Sequence, residues 1–233
     1  MNEEISLEIN DAREILENAF AFYKKYFLSF TVFGLCFVLA TELGEFGLSK
    51  LKVTSMGALF IVNILLTSAV SIACVVFSAK IYLNEKPSLI QSFAATQQKY
   101  LIFVSVSLLS AALILAGFFV LILPGIFLTV VLAFADILVV LEDVQSLEAL
   151  RKSAHLVRGV FRRTFICLIV IVIFLVSPVL IVQQLAQYKP QLAKALGMII
   201  TLLLTPYANV AKVGLYYRIK TLKTDENDQE FGE

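Results

Sequence analysis

A single histidine, His155, and three cysteines, Cys36, Cys74 and Cys167, supply all the imidazole and thiol chemistry in the 233 residues. His155 lies among Arg151, Lys152 and Arg158, where a solvated surface histidine would lie. The cysteines are odd in number, lack CxxC spacing and each falls inside an apolar run, so they read as small packing residues rather than as a disulfide framework or a zinc site. No Ser/His/Asp set, no carboxylates at metal-ligand spacing and no glycine-rich phosphate loop occur. The chain is therefore read as a non-enzyme, with no cofactor and no metal.

Asp136 is the most informative polar residue, because it stands inside an apolar stretch. A carboxylate at the centre of a membrane helix costs about 2.5–3.5 kcal/mol, so it should face other protein and find a partner. Asn209 and Lys212 stand at comparable depth in the last apolar stretch, and together with Asp136 they form a candidate intramembrane polar cluster. Three roles are open for Asp136: an interhelical clamp, part of a substrate or proton path, or a carboxylate solvated near the interface. Glu142, at the end of the same stretch, and Arg218 form a candidate interfacial pair, set against Glu142 as an ordinary interfacial carboxylate. Glu42 and Glu45 could hold a cation or stand as solvated end charges. Arg151, Lys152, Arg158, Arg162 and Arg163 are candidate contacts for anionic lipid headgroups, and equally a loop that sets topology.

The elements that must position these residues follow from composition. Hydrophobic residues make up 59% and charged residues 16%, with a mean hydropathy of +0.87. An ordinary soluble domain is about 45–50% apolar and about 25% charged. Five runs of 16 residues or more lack Asp, Glu, Lys and Arg: residues 26–41, 53–79, 101–135, 164–188 and 195–211. The third would be about 52 Å long as one helix, against a hydrocarbon core of about 30 Å. It must turn back, and Leu123-Pro124-Gly125 is its strongest breaker. A re-entrant hairpin is the alternative there. The fold class expected is an all-α polytopic membrane bundle with six spans, at about 26–46, 54–80, 100–122, 125–142, 164–187 and 194–217. Pro178 and Pro206 fall inside the last two spans, and membrane helices tolerate such kinks. Ala69 with Ala73, and Ser107 with Ala111, have the small-residue spacing of close helix contacts.

Orientation follows from the basic residues. Arg13, Lys24 and Lys25, then Lys80, Lys86 and Lys99, then the five cations of 151–163, then Lys212, Arg218, Lys220 and Lys223 fall on one side; Lys50, Lys52, Lys189 and Lys194 fall on the other. Fifteen against four predicts both termini in the cytoplasm. Tyr23, Tyr26, Tyr82, Tyr100, Tyr216 and Tyr217 group on the basic side, as a headgroup belt would. The acidic start of the chain lacks the basic region of a cleaved signal, so the first span is expected to remain as an anchor.

Each odd-numbered span follows an amphipathic segment: residues 10–23, 88–98 and 146–162. Asp11 with Glu14 and Ser88 with Gln91 have capping-box spacing, and Ser146 stands where an N-cap would. Three units of interfacial helix plus transmembrane hairpin are expected, although any chain that alternates across a membrane shows some of this rhythm. The organisation read is an amphipathic segment over 1–25, a six-span membrane domain over 26–220 and a disordered acidic tail over 221–233.

From Leu123 to Gly159 the chain runs Leu123-Pro124-Gly125, then Glu142, then Ala149-Leu150, Ser153, Leu156 and Gly159. This order resembles the "PG…E…AL..S..L..G" signature of the membrane domain attached to some glycerophosphodiester phosphodiesterases, and of the stand-alone YciC-like bacterial membrane proteins. The resemblance implies an architecture rather than an activity, since catalysis in the fused members belongs to a separate soluble barrel for which the tails here leave no room. The function expected is a non-catalytic protein of the bacterial cytoplasmic membrane, a scaffold or an envelope- or lipid-associated component. The alternative is a small-solute or lipid transporter using a polar site near Asp136. Expected partners are anionic lipid headgroups and a membrane protein or second copy, not nucleic acid, since net charge is only +1.

Overall fold

A computed structural model of the chain describes residues 2–50 and 55–230. These form nine helices: α1 Asn2–Lys25, α2 Phe27–Lys50, α3 Met56–Tyr82, α4 Leu89–Val120, α5 Ile122–Val131, α6 Ala135–Glu142, α7 Ser146–Val157, α8 Phe161–Ala186 and α9 Pro190–Glu230. Six segments are long and apolar enough to cross a membrane: Phe27–Lys50, Gly57–Tyr82, Leu89–Val120, Ile122–Glu142, Phe161–Ala186 and Pro190–Lys223. That number agrees with the sequence, and it points to a multi-pass membrane protein. Lys52, used in reading the orientation, lies outside the described residues.

α9 is the hub of the bundle, packing against α8, α2, α3 and α1, while α3 runs along α4. The core is aromatic near its centre: Phe30, Phe33 and Phe77 are fully buried, with ring centroids 5.4 Å apart for Phe30–Phe77 and for Phe33–Phe77. By contrast α8 leaves Ile173, Phe174 and Ile181 exposed along its length. Such a surface would be a liability in water, and in hydrocarbon it is solvated.

Several boundaries differ from the sequence reading. The turn between the third and fourth spans falls at Leu121, not at Leu123-Pro124-Gly125. Leu121 is extended (φ −163°, ψ 156°), and Pro124 lies in the first turn of α5, where its missing N–H would have had no helical acceptor. The fourth span is not one helix, since residues 132–134 form a turn between α5 and α6. The segment 88–98 is not separate, because α4 runs unbroken from Leu89 to Val120. α1 starts at Asn2, so Asp11 is interior to the helix and no box opens there. Ser88 is the N-cap of α4 without a side-chain bond, and Gln91 instead accepts from Lys80 Nζ at 2.8 Å. Gln145, rather than Ser146, caps α7. Within the tail read over 221–233, α9 continues to Glu230, and residues 231–233 lie outside the described residues. Tyr23 and Tyr216, read as belt residues, are buried in the bundle.

Both interior prolines leave a carbonyl four residues earlier without its helical donor. In α8 the carbonyl freed by Pro178 is that of Phe174, and the Ser177 hydroxyl donates to it at 3.3 Å. In α9 the carbonyl freed by Pro206 is that of Leu202. It sits against Gly34 of α2, so closely that a Cβ on Gly34 would collide with it. The Gly34 hydrogen in that position points at the Leu202 oxygen, a Cα–H···O contact that only glycine permits.

Candidate functional site

The break in the fourth span sets the position of Asp136. Leu132, Ala133 and Phe134 leave the α-helical path, and α6 restarts at Ala135. The side chain that closes this break comes from α7: Ser153, fully buried, donates to the Val131 carbonyl at 2.7 Å and accepts the Phe134 N–H at 3.2 Å. Asp136 thereby stands in the first turn of α6, where the helix dipole favours a carboxylate, and its Oδ1 accepts the Ile137 N–H at 2.9 Å.

Lys212 reaches across from α9. Its Nζ donates to Asp136 Oδ1 at 2.8 Å and to Oδ2 at 2.6 Å. Asn209 does not join them; its amide donates along α9 to the Thr205 carbonyl at 3.1 Å. The pair is not sealed in the core, since the two side chains remain 30% and 28% exposed. They line a cleft of about 480 Å³ bounded by α3, α4, α5, α6, α8 and α9. Most of its wall is apolar, including Phe60, Ile114, Leu168 and Ile171, with Ser107, Ser110 and Thr129 as further polar groups. The Ser110 hydroxyl is buried with no partner among the described residues. Ser107 and Ala111 also line this cleft.

Six residues further along α6, Glu142 has a different set of partners from the one expected. Tyr216 Oη and Lys220 Nζ both donate to its Oε1 at 2.8 Å, and Lys152 Nζ lies 3.5 Å from Oε2. Arg218 does not meet Glu142, lying 3.8 Å from Glu14 on α1. The reason is register: α6 and α9 run the same way, so Lys220, on the face of α9 that carries Tyr216, meets Glu142 while Arg218 turns toward α1. At the opposite end, Lys194 pairs with Glu42 at 2.8 Å, at the edge of a second cleft of about 410 Å³ that Glu45 and Asn63 also line. α9 thus carries cations at three levels, each bonded to a carboxylate on another helix.

One positioning group could not be read from the sequence. Lys99 of α4 donates to the Val140 carbonyl at the end of α6 and lies 2.7 Å from Asp143, which ends that helix in the left-handed region at φ 53°. Its cation meets the negative end of α6. Among the basic residues of the α7 region, Arg151, Lys152, Arg158 and Arg162 are exposed and Arg163 is half-buried; His155 is exposed, as the sequence suggests. Beyond the spans, burial pushes the Tyr23 phenol above its ordinary range.

Residues 53–205 match a family model described as a domain of unknown function, DUF7847. The chain belongs to this family. The DUF7847 region takes in Asp136, Glu142, Ser153 and Ser110, but ends before Lys212, Tyr216 and Lys220. The carboxylates thus lie within the matched region and their partners on α9 beyond it. No curated protein and no solved structure matches the chain.

Proposed function

We propose that this protein is a non-catalytic, multi-pass protein of the bacterial cytoplasmic membrane that takes a small zwitterionic or amphiphilic ligand into the Asp136–Lys212 cleft. The observation that carries this reading is the cleft itself: a carboxylate and an ammonium in an apolar cavity of about 480 Å³ that the Ser110 hydroxyl, without a partner among the described residues, also lines. That volume falls within the range of about 300–1,000 Å³ typical of ligand sites. A zwitterion can exchange partners with the ion pair without leaving either charge bare, which a monovalent ion cannot do. Intramembrane charges at a helix break are also the usual constituents of a solute path.

The proposal extends to topology. Three hairpins, preceded by amphipathic stretches at α1, at the start of α4 and at α7, would be inserted with their basic ends and both termini in the cytoplasm. The distribution of Lys and Arg supports this orientation. The exposed cations of α7 would then rest on anionic headgroups. The PG…E…AL..S..L..G order also supports kinship with the YciC-like membrane proteins and the phosphodiesterase membrane domain.

A scaffold is the second reading, favoured by the ion pairs of Lys194, Lys212, Arg218 and Lys220 that tie α9 to its neighbours. Thermal-shift measurement of the purified protein against a panel of amino acids and phospho-amines, followed by uptake into proteoliposomes, separates the two. A ligand that raises the unfolding midpoint of the parent but not of Asp136→Asn supports the cleft. If no zwitterion shifts the parent and none is taken up, the scaffold stands.

A further inference from the structure

We propose that the groove between α1, the start of α2, α8 and α9 seats one anionic phospholipid, with its phosphate at Lys24 and an acyl chain running inward toward Leu203. α1 buries Ala12, Ile15, Ala19 and Tyr23. Phe20 and Lys24, at i and i+4 of α1, stand away from that buried face, and with Phe27, the first residue of α2, they are left uncovered: Phe20 is 61% and Phe27 51% exposed. Across from them stand Phe174 of α8 and Leu203, Leu204 and Tyr207 of α9, and together these residues enclose about 430 Å³. The floor is fixed, because Tyr207 donates to the Leu16 carbonyl at 3.0 Å and its ring meets those of Tyr23 and Phe174 at 6.0 and 5.7 Å.

The chemistry of the groove selects its occupant. Lys24 is the only charged residue lining it, is exposed, and has no ion pair among the described residues. It stands in the last turn of α1 next to Lys25. Below it the wall is aromatic and aliphatic down to Leu203, midway along the last span. An acyl chain asks for no hydrogen bond and fits such a wall, and a phosphate complements the lysine. Chain burial alone gives no preference, since the surrounding lipid tails are as apolar as the groove. Selection must therefore come from the headgroup, and the seat should distinguish anionic from zwitterionic lipid. The inference is independent of the Asp136 cleft.

The test is native mass spectrometry of the protein released from nanodiscs of phosphatidylglycerol mixed with phosphatidylcholine. The parent should retain one phosphatidylglycerol. Lys24→Gln should weaken its retention about fivefold, the worth of one surface lysine. Leu204→Trp should abolish retention by filling the groove, and Lys189→Gln, an exposed lysine between α8 and α9 that does not line the groove, should leave it unchanged. Unaltered unfolding midpoints without added lipid show that the variants are folded; if Leu204→Trp is not, Lys24→Gln decides alone. Retention of no lipid, equal retention of both headgroups, retention indifferent to Lys24→Gln, or a protein dimer that Leu204→Trp dissociates would each overturn the proposal.

Discussion

Ser153 on α7 donates its hydroxyl proton to the carbonyl of Val131 on α5, closing from outside a break that the fourth span cannot close itself. The same oxygen accepts the N–H of Phe134, so one side chain satisfies both sides of the gap. Ser153→Ala leaves a buried donor and a buried acceptor bare. Each such group costs about 1–3 kcal/mol, so the unfolding midpoint in detergent should fall clearly. Ser153→Thr, which keeps the hydroxyl, should fall less. Equal midpoints for Ser153→Ala and the parent would remove this role.

Lys212 and Asp136 can be tested as a pair. Lys212→Met leaves a carboxylate facing an apolar cleft, and Asp136→Asn leaves an unpaired ammonium. Breaking a buried pair costs about 3–5 kcal/mol, and the partial exposure of both groups places each single change lower, at about 1–3 kcal/mol. The double variant should recover part of that loss. A double-mutant cycle on chemical unfolding in mixed micelles reads the coupling directly, and strict additivity would show that the pair does not hold the helices.

Gly34 and Gly47 lie on the same helix and should respond in opposite ways. A methyl group on Gly34 collides with the Leu202 carbonyl, whereas one on Gly47 meets nothing within 4 Å. Gly34→Ala should therefore push α2 off α9 and cost about 1–3 kcal/mol, as overpacking does. Gly47→Ala should be neutral or slightly stabilising, by up to about 1 kcal/mol of helix propensity. Thermal unfolding of the two variants side by side is sufficient.

Lys99 makes two contacts of unequal worth. Its ion pair with Asp143 is screened on the side where Asp143 is 74% exposed, while Lys99 itself is only 18% exposed. Asp143→Asn, which keeps a residue tolerant of the left-handed region, should cost about 0–1 kcal/mol and lose even that in high salt. Lys99→Met also takes the donor from the Val140 carbonyl at the end of α6 and should cost about 1 kcal/mol more, largely independent of salt. Unfolding at two ionic strengths distinguishes these contributions.

The proposed topology predicts a labelling pattern. In a background lacking Cys36, Cys74 and Cys167, a cysteine at Ser55 should react with an impermeant maleimide on intact cells. A cysteine at Asn84 or Arg158 should react only after permeabilisation. The reverse pattern would invert the protein.

The amino-acid sequence determined the helical class, the six apolar segments and the place of Asp136 inside one of them. It could do so because length and hydropathy are local properties: a run of about 20 apolar residues carries its own span whatever surrounds it. Lys212 as a candidate partner was also legible, since depth in the membrane follows from counting residues along two helices. The tertiary structure alone decided what depends on the rotation and register of one helix against another. Register replaced Arg218 with Tyr216 and Lys220 at Glu142. Helix rotation left Asn209 bonded within α9. The break at 132–134 carries no Gly or Pro to announce it; it stands because Ser153, nineteen residues beyond Phe134, reaches back to satisfy its backbone. A long-range hydrogen bond of that kind leaves no periodic trace in a sequence, so only the folded chain shows why Asp136 lies where it does.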